Sequence, residues 1–302
     1  MKQHILITGA TGLIGRSLTK ALLAKGHTIA VLSRKPVNIP NVKVYLWDVD
    51  KMEIDFGCMD GVSSIIHLAG ESVAAKKWTD TQKQQIVKSR VQSAQLLYTA
   101  IKATSSAVSK FISSAAVGYY GDRADEILYE TSTAGKGFLS ECCVAWEAAA
   151  DEGKSMGINV IKLRTGVVLD KNDGALPTMA LPIRFFAGAP LSNGKQWVPW
   201  IHIDDMVGIF IHALEQESIT GIYNACAPYP VTNKTITQAI AHQLHRPVWP
   251  FKVPKSLLSL LMGEMSIVAT MSTNTSVEKL LESGFRFNYL QLNDALADIY
   301  GS

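Results

Sequence analysis

The chain has 302 residues, of which 47% are apolar, and a formal net charge of +3. It can bury a full hydrophobic core, as one large α/β unit or two unequal domains, and its charge is spread without a basic run, so we expect no nucleic-acid and no membrane partner. No apolar stretch could span a bilayer, no signal peptide fits the start, and the four cysteines lack metal-ligand or disulfide spacing, which together indicate a cytoplasmic protein.

Strands and helices alternate along the first half of the sequence. The spacing of apolar residues predicts strands near 4–8, 28–33, 42–47, 63–69, 109–114 and 158–164, and helices near 12–25, 79–103 and 137–153. This alternation is typical of an α/β Rossmann fold, a doubly wound parallel sheet with helices on both faces. A ligand is then expected over the carboxyl ends of the strands.

The pattern loosens after residue 165, where prolines, glycines and aromatic residues interrupt it. Residues 201–226 return to an apolar helix and a short strand, which we expect to rejoin the sheet. We predict a Rossmann domain of residues 1–165 plus about 197–227, and a smaller, mostly helical substrate lobe of about 166–196 plus 228–302. A small-molecule substrate is expected in the cleft between them, and the aromatic residues of the lobe, Trp249 and Phe251 among them, are interpreted first as core.

The first strand runs through three glycines directly into a helix. Gly9 allows the tight turn, Gly12 lets the backbone approach a phosphate, and Gly15 lets the helix pack on the strand. The unpaired N–H groups at the helix start would face the anion. We therefore predict a pyrophosphate site, with a glycine-rich turn that binds nothing as the alternative. Its residues are Gly9, Thr11, Gly12, Leu13, Ile14 and Gly15.

The residue after the second strand distinguishes the two nicotinamide dinucleotides. A carboxylate there binds the ribose 2′-hydroxyl of NAD, whereas an arginine binds the 2′-phosphate of NADP. In this sequence the strand ends in Ser33-Arg34-Lys35, with no acid. Ser33 and Arg34 therefore favour NADP as cofactor, and the alternative is a solvated basic turn.

Two further strand ends are candidates for cofactor contact. Asp48, after the third strand, could accept from the adenine amino group or simply form a turn. After the next strand, the small residues of Leu68-Ala69-Gly70 would let the backbone pass close to the cofactor. We expect His67, which precedes them, to be a packed residue.

A set of motifs spread over essentially the whole chain resembles one protein family. The motifs are Thr8-Gly9-x-x-Gly12-x-x-Gly15, His67-Leu68-Ala69-Gly70, Trp78 with Lys83 and Ser89-Arg90, Ser113-Ser114, Gly118-Tyr119-Tyr120-Gly121, Trp146-Glu147, Gly194-x-Gln196-x-x-x-Trp200-Ile-His-Ile-x-Asp205 and Gly284-Phe-x-Phe287. They resemble the atypical extended short-chain dehydrogenase/reductases called the sugar-nucleotide-epimerase-like family. The resemblance implies a Rossmann domain, NADP(H), a small-molecule cleft and a C-terminal domain without an assigned function.

The sequence departs from the family pattern where catalysis is expected. Ordinary members transfer protons through a tyrosine with a lysine four residues on. Counting back from Glu147, those places hold Leu139 and Cys143 here. The usual serine falls at Ala115, and Arg90 stands where an asparagine usually supports a proton relay; we place Arg90 among the cofactor-binding residues.

Neighbouring hydroxyl groups are the candidates to replace the missing pair. Ser114 ends a central strand, and Tyr119 and Tyr120 could each donate a proton or form an aromatic wall. Ser113 is expected to contact the cofactor, while local backbone bonding is the alternative for both serines. We expect an oxidoreductase or epimerase-like enzyme on a small polar substrate, nucleotide-linked compounds included. A non-catalytic NADP(H)-binding redox sensor or regulatory protein is the alternative.

Four residues are candidates to bind the substrate: Lys83, Arg164, Arg184 and His202. Lys83 and Arg90 share one helix face, which is either an anion site or a solvated basic stripe. Arg164 and Arg184 could each bind a carboxylate or phosphate. His202 could form an acid/base pair with a following aspartate, although capping of the next helix explains those aspartates well. A homodimer through the helices near 79–103 and 137–153 is a further expectation.

Overall fold

The structure, a computed structural model that describes residues 2–301, is built around one sheet of eight strands. These strands are β1 (His4–Thr8), β2 (Thr28–Ser33), β3 (Val42–Asp48), β4 (Glu53–Ile54), β5 (Ser64–His67), β6 (Lys110–Ala116), β8 (Asn159–Thr165) and β12 (Gly221–Ala225). Short strands form three two-stranded sheets: β7 (Ile127–Leu128) with β14 (Asn274–Thr275), β9 (Val167–Leu169) with β11 (Trp200–His202), and β10 (Trp197–Val198) with β13 (Val231–Thr232).

Helices cover the main sheet and are the longest elements of the chain after β12. Within residues 2–301 they are α1 (Leu13–Ala24), α2 (Asp80–Thr104), α3 (Phe138–Asp151), α4 (Ala175–Arg184), α5 (Ile203–Glu215), α6 (Asn233–Gln243), α7 (Lys255–Met262), α8 (Ile267–Thr270), α9 (Glu278–Glu282) and α10 (Leu292–Tyr300). The predicted elements of the first half are all present, with ends shifted by a few residues.

The main sheet is doubly wound, as predicted. Its strand order is β12-β8-β6-β5-β1-β2-β3-β4, and each neighbouring pair is parallel except β3 with β4. Ile5, Leu6 and Ile7 in β1 are fully buried, because both faces of a central parallel strand are covered. The chain winds outward in opposite directions from β1 and β5, so the crevice over their carboxyl ends is the position where such folds bind ligands.

The strand Gly221–Ala225 rejoins the main sheet beside β8, as expected from its sequence. A separate set of buried apolar side chains packs α4, α6 and α10 together; it includes Leu176, Ile183, Ile236, Ile240 and Leu296. The limits of the two domains remain a prediction. Among residues 2–301, no helix combines the length and apolar character needed to cross a membrane.

A chain of hydrogen bonds joins the carboxyl ends of β1 and β5. The Thr8 hydroxyl oxygen accepts from the backbone N–H groups of Leu68 and Ala69, each at 3.1 Å. It therefore donates its own proton to Nδ1 of His67 at 2.8 Å. Nε2 of His67 then carries the ring proton and donates it to Oγ of Ser93 at 3.0 Å. The neutral ring satisfies each of these groups, so His67 is a packed structural residue, as expected.

Acidification should weaken the fold through His67. Burial lowers the pKa of His67 from 6.5 to about 4. On acidification His67 is therefore protonated in the unfolded chain before it is protonated in the folded protein. The stability of the fold is unaffected by this residue above pH 6.5. It decreases as the pH falls from 6.5 through 4, by a total of about 3 kcal/mol. We expect the free energy of unfolding in urea to be roughly 2 to 3 kcal/mol lower at pH 4.5 than at pH 7.5 through this residue. His67→Gln should be less stable at pH 7.5 but lose less on acidification; an equal loss in both proteins would contradict this assignment.

Candidate functional site

The turn between β1 and α1 needs glycine at two positions for the fold itself. Gly9 has φ +71°, and a Cβ there would lie 2.9 Å from the carbonyl carbon of Leu68. A Cβ on Gly15 would lie 2.6 Å from Cα of Ala10 and would collide with the Gly9 carbonyl oxygen. Gly12 differs, because a Cβ there would make only a 3.4 Å contact with the Gly9 oxygen. The protein leaves room for a side chain at Gly12, which is the space that an approaching ligand would use.

The start of α1 offers backbone donors to solvent. Its N-cap is Gly12, so no side chain caps the helix. The first N–H groups of a helix, here those of Leu13 and Ile14, have no acceptor within it. Thr11 and Gly12 are exposed, which leaves the helix start open. Unpaired amides at the positive end of a helix dipole form a phosphate site, so the geometry fits the pyrophosphate of a dinucleotide.

The loop after β9 forms a wall of this site that sequence reasoning missed. Arg16 donates from Nη1 to the Thr11 carbonyl and from Nη2 to Oδ2 of Asp173, both at 2.9 Å. The Gly174 N–H and the Arg16 guanidinium lower the pKa of Asp173. Gly174 packs closely on α1, since a Cβ there would lie 2.9 Å from Cδ2 of Leu13. Arg16 and Asp173 are 157 residues apart, so no local pattern links them.

The ends of β2 and β3 lie beside this turn in the sheet order. Arg34 is exposed, and none of the hydrogen bonds or ion pairs found within residues 2–301 uses its guanidinium. Oγ of Ser33 accepts from the Lys35 N–H at 3.3 Å. With no acid at this strand end, the residues present fit a phosphorylated ribose. The Asp48 carboxylate accepts from backbone N–H groups two and three residues on, at 3.0 and 3.1 Å, which supports the turn interpretation.

The Arg90 side chain packs against the loop that follows β5, at Gly70 and Glu71. Nη1 donates to the carbonyl oxygens of Glu71 and Ile86, each at 2.9 Å, and the guanidinium lies 4.8 Å from the ring centre of Trp146. Burial lowers the pKa of Arg90. A Cβ on Gly70 would lie 3.1 Å from Cζ of Arg90, so the small residue lets loop and guanidinium touch. The interpretation of Arg90 as part of a solvated stripe is therefore wrong.

The structure places Leu139 and Cys143 where the motif count puts the missing catalytic pair. They lie one turn apart on α3, and both face Gly118 just after β6. A Cβ on Gly118 would lie 3.7 Å from Cβ of Leu139 and 3.6 Å from Sγ of Cys143. Burial raises the pKa of Cys143 to about 12. An apolar side chain and a protonated, buried thiol supply neither the proton donor nor the cation of the usual pair.

Tyr120 and Arg164 belong to a buried polar cluster. Nε and Nη2 of Arg164 donate to the two carboxylate oxygens of Glu147 at 2.7 and 3.0 Å, and Nη1 donates to the Tyr120 hydroxyl at 2.9 Å. That hydroxyl donates to Oδ1 of Asn224 at 2.7 Å. Burial raises the pKa of Tyr120 to about 12. The predicted roles, proton donation by Tyr120 and substrate binding by Arg164, are corrected here, because both side chains are buried and their polar atoms are bound within the protein.

The hydroxyl groups of Tyr119, Ser113 and Ser114 differ in whether they are already hydrogen-bonded within the protein. The Tyr119 ring is half-buried and lies 3.5 Å from the Arg164 guanidinium, and none of the hydrogen bonds found in the described part of the chain uses its hydroxyl. Ser114 is half-buried, and its hydroxyl is 3.5 Å from the Ala115 carbonyl, which is long for a hydrogen bond. Ser113 is buried and donates to the Ser114 carbonyl at 2.8 Å. Of the candidate hydroxyls, those of Tyr119 and Ser114 remain available to a ligand.

A cleft of about 850 Å³ opens between the start of α2, the start of α3 and the segment before α8. Trp78 and Phe138 form an aromatic wall, edge to face, with ring centres 4.9 Å apart. Lys83 lies in the cleft and forms an ion pair with Glu264, so it is not part of a solvated stripe. Leu139 also lines this space. The cleft thus connects the position of the missing tyrosine with the C-terminal part of the chain.

The other candidate substrate residues do not line this cleft. Nδ1 of His202 accepts from the Asp204 N–H at 3.1 Å, so His202 itself is the N-cap of α5. The Asp205 carboxylate instead accepts from the backbone N–H groups of residues 288 and 289, at 2.8 and 3.0 Å. The expectation that these aspartates cap the helix is therefore wrong: His202 is the cap, and both aspartates lie in the first turn of α5. Arg184 lies at the exposed end of α4 and hydrogen-bonds Tyr300.

Comparison with known proteins identifies two matching segments. The NAD dependent epimerase/dehydratase family matches residues 5–226, and a domain of unknown function, DUF1731, matches residues 253–299. The first segment contains the main sheet and the phosphate turn. The second contains α7 to α10, whose function the match leaves unassigned.

Relatives align with this chain over its full length. Epimerase family protein YfhF of Bacillus subtilis is 34% identical over 299 residues, which cover 98% of this chain and 97% of that protein. Human epimerase family protein SDR39U1, crystallised with NADPH, has a TM-score of 0.86 and 29% identity, with 99% of each chain covered. A nucleoside-diphosphate sugar epimerase of Corynebacterium glutamicum has a TM-score of 0.82 and 33% identity, covering 100% of this chain and 59% of that one. The chain belongs to the NAD dependent epimerase/dehydratase family.

Proposed function

We propose that this protein is an NADP(H)-dependent oxidoreductase or epimerase-like enzyme that acts on a small polar substrate. The observation that carries the proposal is Gly12, whose missing side chain leaves space in an open turn of unpaired amides. The fold does not need that space, so a ligand is its best explanation. The relative from C. glutamicum, a nucleoside-diphosphate sugar epimerase, favours a nucleotide-linked substrate.

The cofactor would be held along the carboxyl edge of the sheet. The N–H groups of Leu13 and Ile14 would bind the pyrophosphate, and Arg34 with Ser33 would bind the 2′-phosphate through charge-assisted bonds. NADPH in the crystal structure of human SDR39U1 supports the phosphorylated coenzyme. When bound, NADP(H) supplies hydride exchange at nicotinamide C4. The remaining proposed contacts are Gly9, Thr11, Gly15, Leu68, Ala69 and Gly70. The bonds that Asp48, Arg90 and Ser113 make within the protein argue against the contacts expected of them.

The chain's own residues would orient the substrate and supply a proton. The aromatic wall of Trp78 and Phe138 would hold the apolar part of the substrate, and Lys83 would meet a negative group once Glu264 releases it. Tyr119 is the proposed proton donor, since its hydroxyl is free and the Arg164 guanidinium fixes its ring. Ser114 would position the reacting hydroxyl or carbonyl through its free hydroxyl.

A non-catalytic NADP(H) sensor is the second candidate function. One observation favours it: Leu139 and Cys143 occupy the place of the usual tyrosine and lysine. A protein that only binds the cofactor needs neither group. The cytoplasmic location and the homodimer through α2 and α3 remain predictions of the sequence.

Replacing Arg34 tests the choice of coenzyme. Arg34→Ala should weaken NADPH binding at least tenfold, because about 1.5 to 3 kcal/mol of charge-assisted hydrogen bonding to the 2′-phosphate is lost. NADH, which lacks that phosphate, should lose less than about threefold in affinity. Isothermal titration calorimetry measures both constants, with Lys35→Ala as the control for net charge. Equal losses for the two coenzymes, or an equal effect of Lys35→Ala, would remove the assignment to Arg34.

Two glycine variants distinguish a glycine that the fold requires from one that ligand binding requires. Gly12→Ala should unfold in urea within about 1 kcal/mol of the wild type, because its Cβ fits, but should bind NADPH at least tenfold more weakly. Gly15→Ala should lose several kcal/mol of stability, since its Cβ meets the backbone of the turn. Unchanged NADPH affinity in a folded Gly12→Ala protein would show that no phosphate approaches Gly12.

Substitution of Tyr119 distinguishes the enzyme from the sensor. The purified protein would be assayed with NADPH against panels of carbonyl compounds and nucleotide sugars. The proposal expects turnover in the wild type and a loss of about 100-fold or more in Tyr119→Phe, at unchanged NADPH affinity. Tyr120→Phe is the matched control, and it should keep turnover. NADPH binding without turnover on any panel would favour the sensor.

A further inference from the structure

One face of the C-terminal part exposes large apolar side chains. We call the surface formed by Phe185, Phe186, Trp249 and Phe251 the aromatic face; Leu260 and Leu261, which follow in α7, are also exposed. Phe185, Phe251 and Leu260 are 75, 73 and 79% exposed. Groups of exposed large apolar side chains often mark the surface where a protein meets a partner, so we ask what partner fits this face. The expectation that Trp249 and Phe251 belong to the core is wrong.

Direct contacts join the two segments that form this face. Nε1 of Trp249 donates to the Phe186 carbonyl oxygen at 2.6 Å, and the Arg246 guanidinium lies 4.7 Å from the Phe186 ring centre. The Val253 N–H donates to the Pro190 carbonyl at 2.9 Å. The end of α4 and residues 246–253 therefore run side by side, and α7 follows directly from them.

The charges on these segments have one sign. Residues 174–203 and 225–263 contain no aspartate or glutamate, although the chain has 26 acidic residues. The cations of the face are Arg184, Arg246, Lys252 and Lys255, all exposed. Among the residues that the structure describes, none of these cations forms an ion pair. The two segments that form the face therefore combine apolar side chains with charges that are only basic.

This charge pattern argues against a second copy of the chain as the partner. A two-fold interface brings the same patch of both subunits together. Here it would set cations against cations with no carboxylate between them. The partner must carry negative charge and accept aromatic rings at its surface. A bilayer with anionic headgroups does both, because rings settle at the headgroup level while Lys and Arg reach the phosphates.

We propose that the aromatic face docks the protein on the surface of an anionic lipid bilayer. Phe185 and Phe251 enter the boundary between headgroups and acyl chains, and Lys252 and Lys255 bind lipid phosphates. This is attachment to a surface, which needs no spanning helix. The net charge of +3 did not reveal it, because acidic residues elsewhere in the chain offset the basic face. The inference is independent of the proposed NADP(H) chemistry.

Sedimentation with vesicles tests the proposal on the full-length protein. The probes are vesicles of phosphatidylcholine alone and of phosphatidylcholine with 25% phosphatidylglycerol. The wild type should sediment with the anionic vesicles, at least tenfold more strongly than with neutral ones, and salt at about 0.5 M should reverse most of the binding. Lys252→Glu with Lys255→Glu should lower the partition coefficient at least tenfold, since each cation near the surface is worth about a factor of five. Phe185→Ser with Phe251→Ser should lower it as strongly.

Matched controls carry the same changes elsewhere on the surface. Phe56→Ser and the pair Lys20→Glu with Lys102→Glu alter exposed residues outside the face, and should bind within twofold of the wild type. No wild-type binding to anionic vesicles, equal binding to both vesicle types, or an equal loss in the controls would overturn the proposal. So would a dimer in sedimentation velocity that Phe185→Ser with Phe251→Ser dissociates, which would identify a second copy as the partner. If the serine pair fails to fold, the glutamate pair decides.

Discussion

The close approach of two backbone segments at the middle of the sheet determines the rest of this structure. Gly9 lies against the backbone of Leu68 and Ala69, and Thr8 fixes that contact by accepting both of their N–H groups. Because the turn is this tight, α1 starts with its amides facing outward and no side chain over them. The proposed phosphate site is therefore a consequence of how β1 and β5 meet, and the loop after β9 borders it through Arg16 and Asp173.

The fold keeps the framework of the family while changing the chemistry beside it. Leu139 and Cys143 make the start of α3 apolar where a tyrosine and a lysine would stand. Arg164 points into the core and pairs with Glu147, and its guanidinium packs on the Tyr119 ring. The Tyr120 hydroxyl accepts a hydrogen bond from the same guanidinium and so has a structural role. Because the usual pair is absent, the proposed reaction relies on another donor, the free hydroxyl of Tyr119.

Local patterns predicted the framework, and long-range pairings decided the details. The strands, α1 to α3 and the glycine turn were predictable because apolar spacing and glycine positions act within a few residues. The adjacent tyrosines Tyr119 and Tyr120 could not be told apart, since a short 3₁₀ turn points one inward and leaves the other half-buried. The role of Arg164 depends on its ion pair with Glu147, and that of His202 on its position as the cap of α5. Phe251 is exposed because no other part of the chain within residues 2–301 packs over it. No periodicity in the sequence carries that information.

A crystal structure of the protein grown with NADPH tests the central claim most directly. The account predicts the pyrophosphate within hydrogen-bonding distance of the Leu13 and Ile14 amides, next to Gly12, and the 2′-phosphate in contact with Arg34. The nicotinamide should then lie near Tyr119 and the cleft that Trp78 lines. Density for the coenzyme at another site, or crystals that take up none at millimolar NADPH while titration shows no heat, would contradict the account.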